Sequence, residues 1–278
     1  MKPPSWRIDE APLVAFTAAA IAGAGVAVSR PLAWMMGLPA SAPGRDAAIA
    51  VLLLVGGGLL TSVLHLGRPG RMTLAIRRTG KNALSNEVVL ALVTVGAALI
   101  LAALPVSELW IQPLWVFLSL AAFGLLVSLE AVYSIPAQLA WSGIPALTPL
   151  PLALLFGSTS YAPAAIAGSD AVIRFIIGLV AVDAVLWILR CRRVEKARRL
   201  GTAVHAEIMA ARGWLAGVRF ALITLLFPVA VIFGSWVSAL VLLGLGLLLD
   251  RFAFYGLAVR QTAESEIARV ETVINMIS

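Results

Sequence analysis

Eight apolar runs, each about as long as a lipid bilayer is thick, constrain this chain more than any other feature. They cover residues 12–36, 46–66, 85–104, 112–136, 146–168, 171–190, 214–232 and 235–258. A membrane-spanning helix needs about 20 consecutive, mostly apolar residues. Hydrocarbon offers no partner to a backbone N–H or C=O, so such a run must satisfy its backbone internally as a helix. The pattern therefore predicts an all-α polytopic membrane protein with eight transmembrane helices, a single integral membrane domain over 1–278. The composition agrees: 61% of residues are hydrophobic and 13% charged, against roughly 45–50% and about 25% in a soluble domain. One core cannot bury that apolar excess, but an outer surface facing lipid absorbs it.

The runs differ in detail. The fifth carries Pro145, Pro149, Pro151 and Pro163 and is expected to be irregular at both ends. Only Gly234 and its neighbours separate the seventh from the eighth, which predicts a tight helical hairpin. Gly56, Gly57 and Gly58 offer close helix approach in the second, most simply as packing. There is no internal repeat. The N-terminus, from Met1 to Arg7, lacks a cleavable signal pattern, and the first run reads as a retained helix.

The net charge of +7 could suggest nucleic acid, but the cations sit between the apolar runs, which points to membrane orientation instead. With eight spans, both termini share a side with the 67–84 and 191–213 connections. That side carries sixteen cations: Lys2, Arg7; Arg68, Arg71, Arg77, Arg78, Lys81; Arg190, Arg192, Arg193, Lys196, Arg198, Arg199, Arg212; Arg260 and Arg269. The opposite side has three, Arg30, Arg45 and Arg174. The positive-inside rule then predicts that both termini are cytoplasmic. The single cysteine, Cys191, excludes an internal disulfide and a cysteine-ligated cluster.

Ionisable groups inside spans are costly and mark function or paired charges. Here they are Glu87, Glu130, Asp183, Arg219, Asp250 and Arg251, with His65 closing the second run. All fall in the expected cytoplasmic half. Glu130 and Asp183, for example, lie about 10 Å from that end at about 1.5 Å per residue. A proton path across the bilayer would need polar groups in both halves, so the pattern favours a one-sided pocket. The simpler reading is that Glu130, Asp183, Arg219 and Arg251 are paired charges locking helices together. Asp250 with Phe254, and Arg251 with Tyr255, are spaced to share a helical face.

One stretch is more specific: Leu64-His65-Leu66-Gly67-Arg68-Pro69, continuing through Arg77-Arg78-Thr79-Gly80 to Ala83-Leu84-Ser85-Asn86-Glu87. It closely resembles the corresponding stretch of the membrane anchor subunit of anaerobic dimethyl sulfoxide reductase, the DmsC family. Glu10-Ala11-Pro12-Leu13 before Phe16-Thr17 resembles that family's start of the first span. Tyr133 with Pro136, Trp141, Thr148 and Pro149 resembles its fourth-to-fifth connection, and Asp250-Arg251 with Phe254-Tyr255-Gly256 its last helix. Asp250 departs from the glycine usual before that arginine.

The resemblance implies a subunit of the bacterial cytoplasmic (inner) membrane without a redox cofactor of its own. It would hold a four-cluster iron–sulfur subunit and a molybdopterin catalytic subunit at the membrane, and exchange electrons with quinone or menaquinone. Iron–sulfur clusters and molybdopterin would lie only in the partners. Terminal-substrate chemistry would lie elsewhere, and this subunit would oxidise quinol or, in a sulfite-dehydrogenase-like complex, reduce quinone. The family's pocket histidine maps onto His65 and its acid onto Glu87, the expected catalytic pair. Arg68, Tyr133, Asp250 and Arg251 complete the implied quinone-binding set, and Arg71, Arg77, Arg78 and Lys81 the implied docking face. The residue types suit quinol chemistry, because imidazole titrates near physiological pH and a desolvated carboxylate can be tuned to accept a proton. Bis-histidine haem b is disfavoured, because the second histidine, His205, lies in a basic connection. A transporter would want interrupted helices and polar groups near mid-membrane, often in matching halves, which the sequence lacks apart from the proline-rich fifth run.

Overall fold

The computed structural model describes residues 11–35, 44–65, 77, 79–81, 83–133, 149–165, 170–199 and 213–256. Among them there is no strand. The expected runs appear as helices: α1 Ala11–Met35, α2 spanning 45–65, α3 Ala83–Ala103, α4 Glu108–Tyr133, α5 Pro149–Ala165, α6 Asp170–Arg199, α7 spanning 213–232 and α8 Trp236–Gly256. Single π-helical turns, Leu52–Gly56 and Ala221–Leu226, interrupt α2 and α7. Seven of the eight are long and apolar enough to cross a membrane; α5 is outside that set. At 17 residues it covers about 25 Å, short of a hydrocarbon core of about 30 Å.

Two expectations shift with the structure. The helix of α5 is regular from Pro149, because Pro149 and Pro151 stand in the first turn, where no backbone N–H is needed. The flanking residues 146–148 and 166–168 of its expected run lie outside the described residues. The sixth helix does not stop at 190 but continues to Arg199. Loss of hydropathy marks where lipid ends, not where helix ends, and the Arg, Lys, Glu and Ala of 192–199 are good helix formers.

The bundle is organised around α1, which packs against α2, α4, α5 and α8. Its sequence explains this role, since alanines and glycines dominate its buried surface. A Cβ on Gly25 would run into the backbone of Ala153 on α5, and one on Gly157 into the Gly25 carbonyl and the Ser29 hydroxyl. Helices in lipid associate through such close backbone contact rather than hydrophobic burial. Of the glycine triplet on α2, Gly58 is the one set against α1, where a Cβ would lie 3.2 Å from the Phe16 carbonyl oxygen. Pairs α2/α3 and α3/α4 pack antiparallel, α5 contacts α6 and α8, and α7 folds back on α8. Gly234, at φ 69°, makes that reversal, as expected of the hairpin. Large apolar side chains such as Leu53, Leu60, Leu120, Val185 and Val237 are exposed on the outside of the bundle, as a lipid-facing surface requires.

Candidate functional site

Three arginines and three carboxylates converge inside the bundle: Glu130 from α4, Asp183 and Arg190 from α6, Arg219 from α7, and Asp250 with Arg251 from α8. Their exposure runs from 0% for Glu130 and Asp250 to 5% for Arg190, so all six are shut off from the outside. Arg219 donates two hydrogen bonds of 2.7 Å to the two carboxylate oxygens of Asp183. Arg251 donates to Glu130 at 3.1 Å and, through Nε and a terminal nitrogen, to Asp250. Asp250 is the junction: its second oxygen lies 3.4 Å from Nε of Arg219 and 3.5 Å from Arg190. Aromatic rings close the rest of the shell. The guanidinium of Arg219 stands 4.3 Å from the Trp187 ring centroid, and those of Arg190 and Arg251 stand 5.0 and 4.9 Å from that of Phe254.

The balance of charge explains how the group tolerates burial. An isolated ion in this setting is very unfavourable, whereas bidentate arginine–carboxylate pairs offset much of the desolvation. Each member therefore depends on the others, and the network ties α4, α6, α7 and α8 together at one end of the bundle. The expectation that Glu130, Asp183, Arg219 and Arg251 are paired charges agrees with this geometry. Hydropathy alone counts Arg190 among the loop cations. The structure instead buries it within α6, seven residues and about two helical turns after Asp183, on the same face. That spacing was the available signal.

Glu87 is different. It stands near the start of α3, only 4% exposed, and among the described residues its carboxylate meets neither a cation nor a hydrogen-bond donor. Its depth can be fixed from packing. Gly56 of α2 faces Val95 of α3, with a Cβ there 3.7 Å from the valine methyl. Nine residues beyond Gly56 is His65, the last residue of α2, and eight before Val95 is Glu87. At about 1.5 Å per residue the two backbones reach the same level within about 2 Å. On the other side of α3, Leu90 packs against Gly124 of α4, which puts Glu87 within about 5 Å of the depth of Glu130.

The side chains of His65 and Tyr133 lie outside the described residues, as do Arg68, Arg71 and Arg78. Arg77 and Lys81 are exposed at the same end of the bundle as Glu87. The turn carrying Lys81 is pinned to α3, since the Gly80 N–H donates to the Asn86 side chain at 2.7 Å. The structure thus brings Asp250 and Arg251 together with Glu130, Asp183, Arg190 and Arg219, and sets Glu87 apart from them. At the opposite end, Arg30 lies over the Trp115 ring at 4.7 Å and Arg45 donates to the Ala102 carbonyl at 2.7 Å. Among the described residues no group of metal-binding side chains is assembled.

No curated protein matches the chain in a sequence search. A family model does: that of the DMSO reductase anchor subunit, DmsC, matches residues 6–257, from before α1 to the end of α8. The matched length takes in every helix described above and both the buried network and Glu87, and the chain belongs to this family of membrane anchor subunits.

Proposed function

We propose that this anchor exchanges electrons between the quinone pool and an iron–sulfur partner, with His65 and Glu87 as the residues that bind quinol and take up its protons. The observation that supports it is the state of Glu87. Each of the other three deeply buried carboxylates is engaged by arginine, whereas Glu87 has no cation partner among the described residues. A buried carboxylate held as a salt bridge is a poor proton acceptor, and one without a counter-ion is a good one. Oxidising quinol releases two electrons and two protons. Glu87 and His65, whose backbones lie at one depth on adjacent antiparallel helices, suit the two quinol oxygens. Arg68 and Tyr133 would complete the pocket, whereas Asp250 and Arg251, expected there from the resemblance, are instead engaged in the buried charge network. In this reading α5 completes an eight-span bundle, and both termini lie in the cytoplasm of a bacterial cell. The 67–84 connection would then meet the iron–sulfur subunit, with Arg71, Arg77, Arg78 and Lys81 at the contact and a molybdopterin subunit beyond it. The same site run in reverse would reduce quinone.

The test is quinol-dependent turnover of the intact complex. His65→Ala should abolish it while the catalytic subunit still works with soluble artificial electron donors. Glu87→Gln keeps size and hydrogen bonding but loses the proton acceptor, so quinol oxidation should fall by about 10²–10⁴-fold. Near-normal quinol turnover in both variants would exclude this pair and return attention to Glu130, Asp183 and Asp250.

A further inference from the structure

We propose that a groove between α6 and α7 is a binding site for an acidic phospholipid. The groove has a volume of about 690 Å³, within the roughly 300–1,000 Å³ of small-molecule sites. Its walls are apolar, with Trp187 and Ile188 on α6 and Gly217 and Phe220 on α7, and its rim carries Arg192 and Glu195. From Trp187 to Glu195 is eight residues, about 12 Å along the helix. Arg192 is the last residue of the span-length segment of α6, and Gly213 the first of that of α7. The groove therefore begins where the helices leave hydrocarbon and descends along apolar walls, the depth profile of a lipid headgroup and the upper part of its chains.

Charge selects the headgroup. Arg192 is exposed at the rim, and beyond the buried Arg190 the last turns of α6 carry Arg192, Arg193, Lys196, Arg198 and Arg199 against the single acid Glu195. Such a cluster at a membrane surface attracts anionic lipid by about 1 kcal/mol per cation, or about fivefold. The walls argue against quinone as the occupant. Trp187 has the guanidinium of Arg219 against its ring, and so stands between the groove and the Asp183–Arg219 pair. A molecule in the groove meets charge at the rim alone, whereas quinone needs polar partners at both oxygens.

The experiment is native mass spectrometry of the full chain in detergent, titrated with phosphatidylglycerol or phosphatidylcholine. Wild type should retain phosphatidylglycerol in preference. Arg192→Glu should weaken that binding about fivefold or more and leave phosphatidylcholine unchanged. Gly217→Trp should remove the site by filling it, because a side chain at Gly217 meets nothing within 4 Å. Ile188→Trp, at an exposed wall position, does the same from the other helix. Equal retention of the two lipids by wild type would overturn the proposal. So would unchanged phosphatidylglycerol binding in both filling variants. Filling variants that keep their lipid but lose the iron–sulfur subunit would identify a protein contact instead, and equally overturn it.

Discussion

Replacing Asp183 with leucine tests the buried network most directly. The substitution leaves the Arg219 guanidinium, 1% exposed, without its bidentate partner. Of its carboxylate partners Arg219 keeps only Asp250, at the longer 3.4 Å, and the group carries one uncompensated positive charge. Removing one partner of a buried pair costs about 3–5 kcal/mol. At about 2–4 °C per kcal/mol for a chain of this order of size, the melting temperature in detergent should fall by about 6–20 °C. Arg219→Leu should fall comparably, because it strands Asp183. Asp183→Leu combined with Arg219→Leu leaves two arginines and two carboxylates, again balanced. What it loses is chiefly the contact of Arg219 with Trp187, worth about 1–2 kcal/mol. The double variant should therefore melt above either single variant, within about 2–8 °C of wild type. The assay is loss of the monodisperse peak in size-exclusion chromatography after heating, run on all four proteins side by side. A double variant less stable than both singles would show that the two groups do not depend on each other, and the account of the network as mutually compensating charge would fail.

Three further outcomes follow from the same physical picture. A cysteine at Lys81, which is exposed, should react with a membrane-impermeant reagent in inside-out vesicles and not in intact cells; the reverse result would invert the proposed topology. Reversing Arg77 and Arg78 to glutamate should reduce co-purification of the iron–sulfur subunit while leaving membrane insertion unchanged, and undiminished co-purification would remove the docking face from the 67–84 connection. Gly25→Leu, forced against the Ala153 backbone, should separate α1 from α5 and destabilise the protein by at least about 1–3 kcal/mol, whereas Gly57→Leu, with nothing within 4 Å of its Cβ, should be tolerated; similar melting temperatures for the two would contradict the α1–α5 contact.

The sequence by itself determined the helices and, through its motifs, the family. Each helix begins and ends within a few residues of its apolar run, apart from the charged extension of α6, because lipid forces an uninterrupted apolar segment to satisfy its own backbone. The His65 to Glu87 stretch was legible for a different reason, as a local pattern of residue types independent of packing. Tertiary structure decided which charges meet. Arg190 and Arg192 stand two positions apart in one basic run, yet Arg190 turns into the bundle to face Asp250 while Arg192 stays exposed at a groove. Glu87 and Glu130 look alike in sequence as lone acids in apolar helices. Only the fold, which brings Arg251 of α8 within reach of α4, gives Glu130 the arginine that Glu87 lacks. Hydropathy reports whether a segment can sit in lipid. It does not report which face of a helix meets which neighbour, and for a buried charge the identity of that neighbour separates a lock from a proton acceptor.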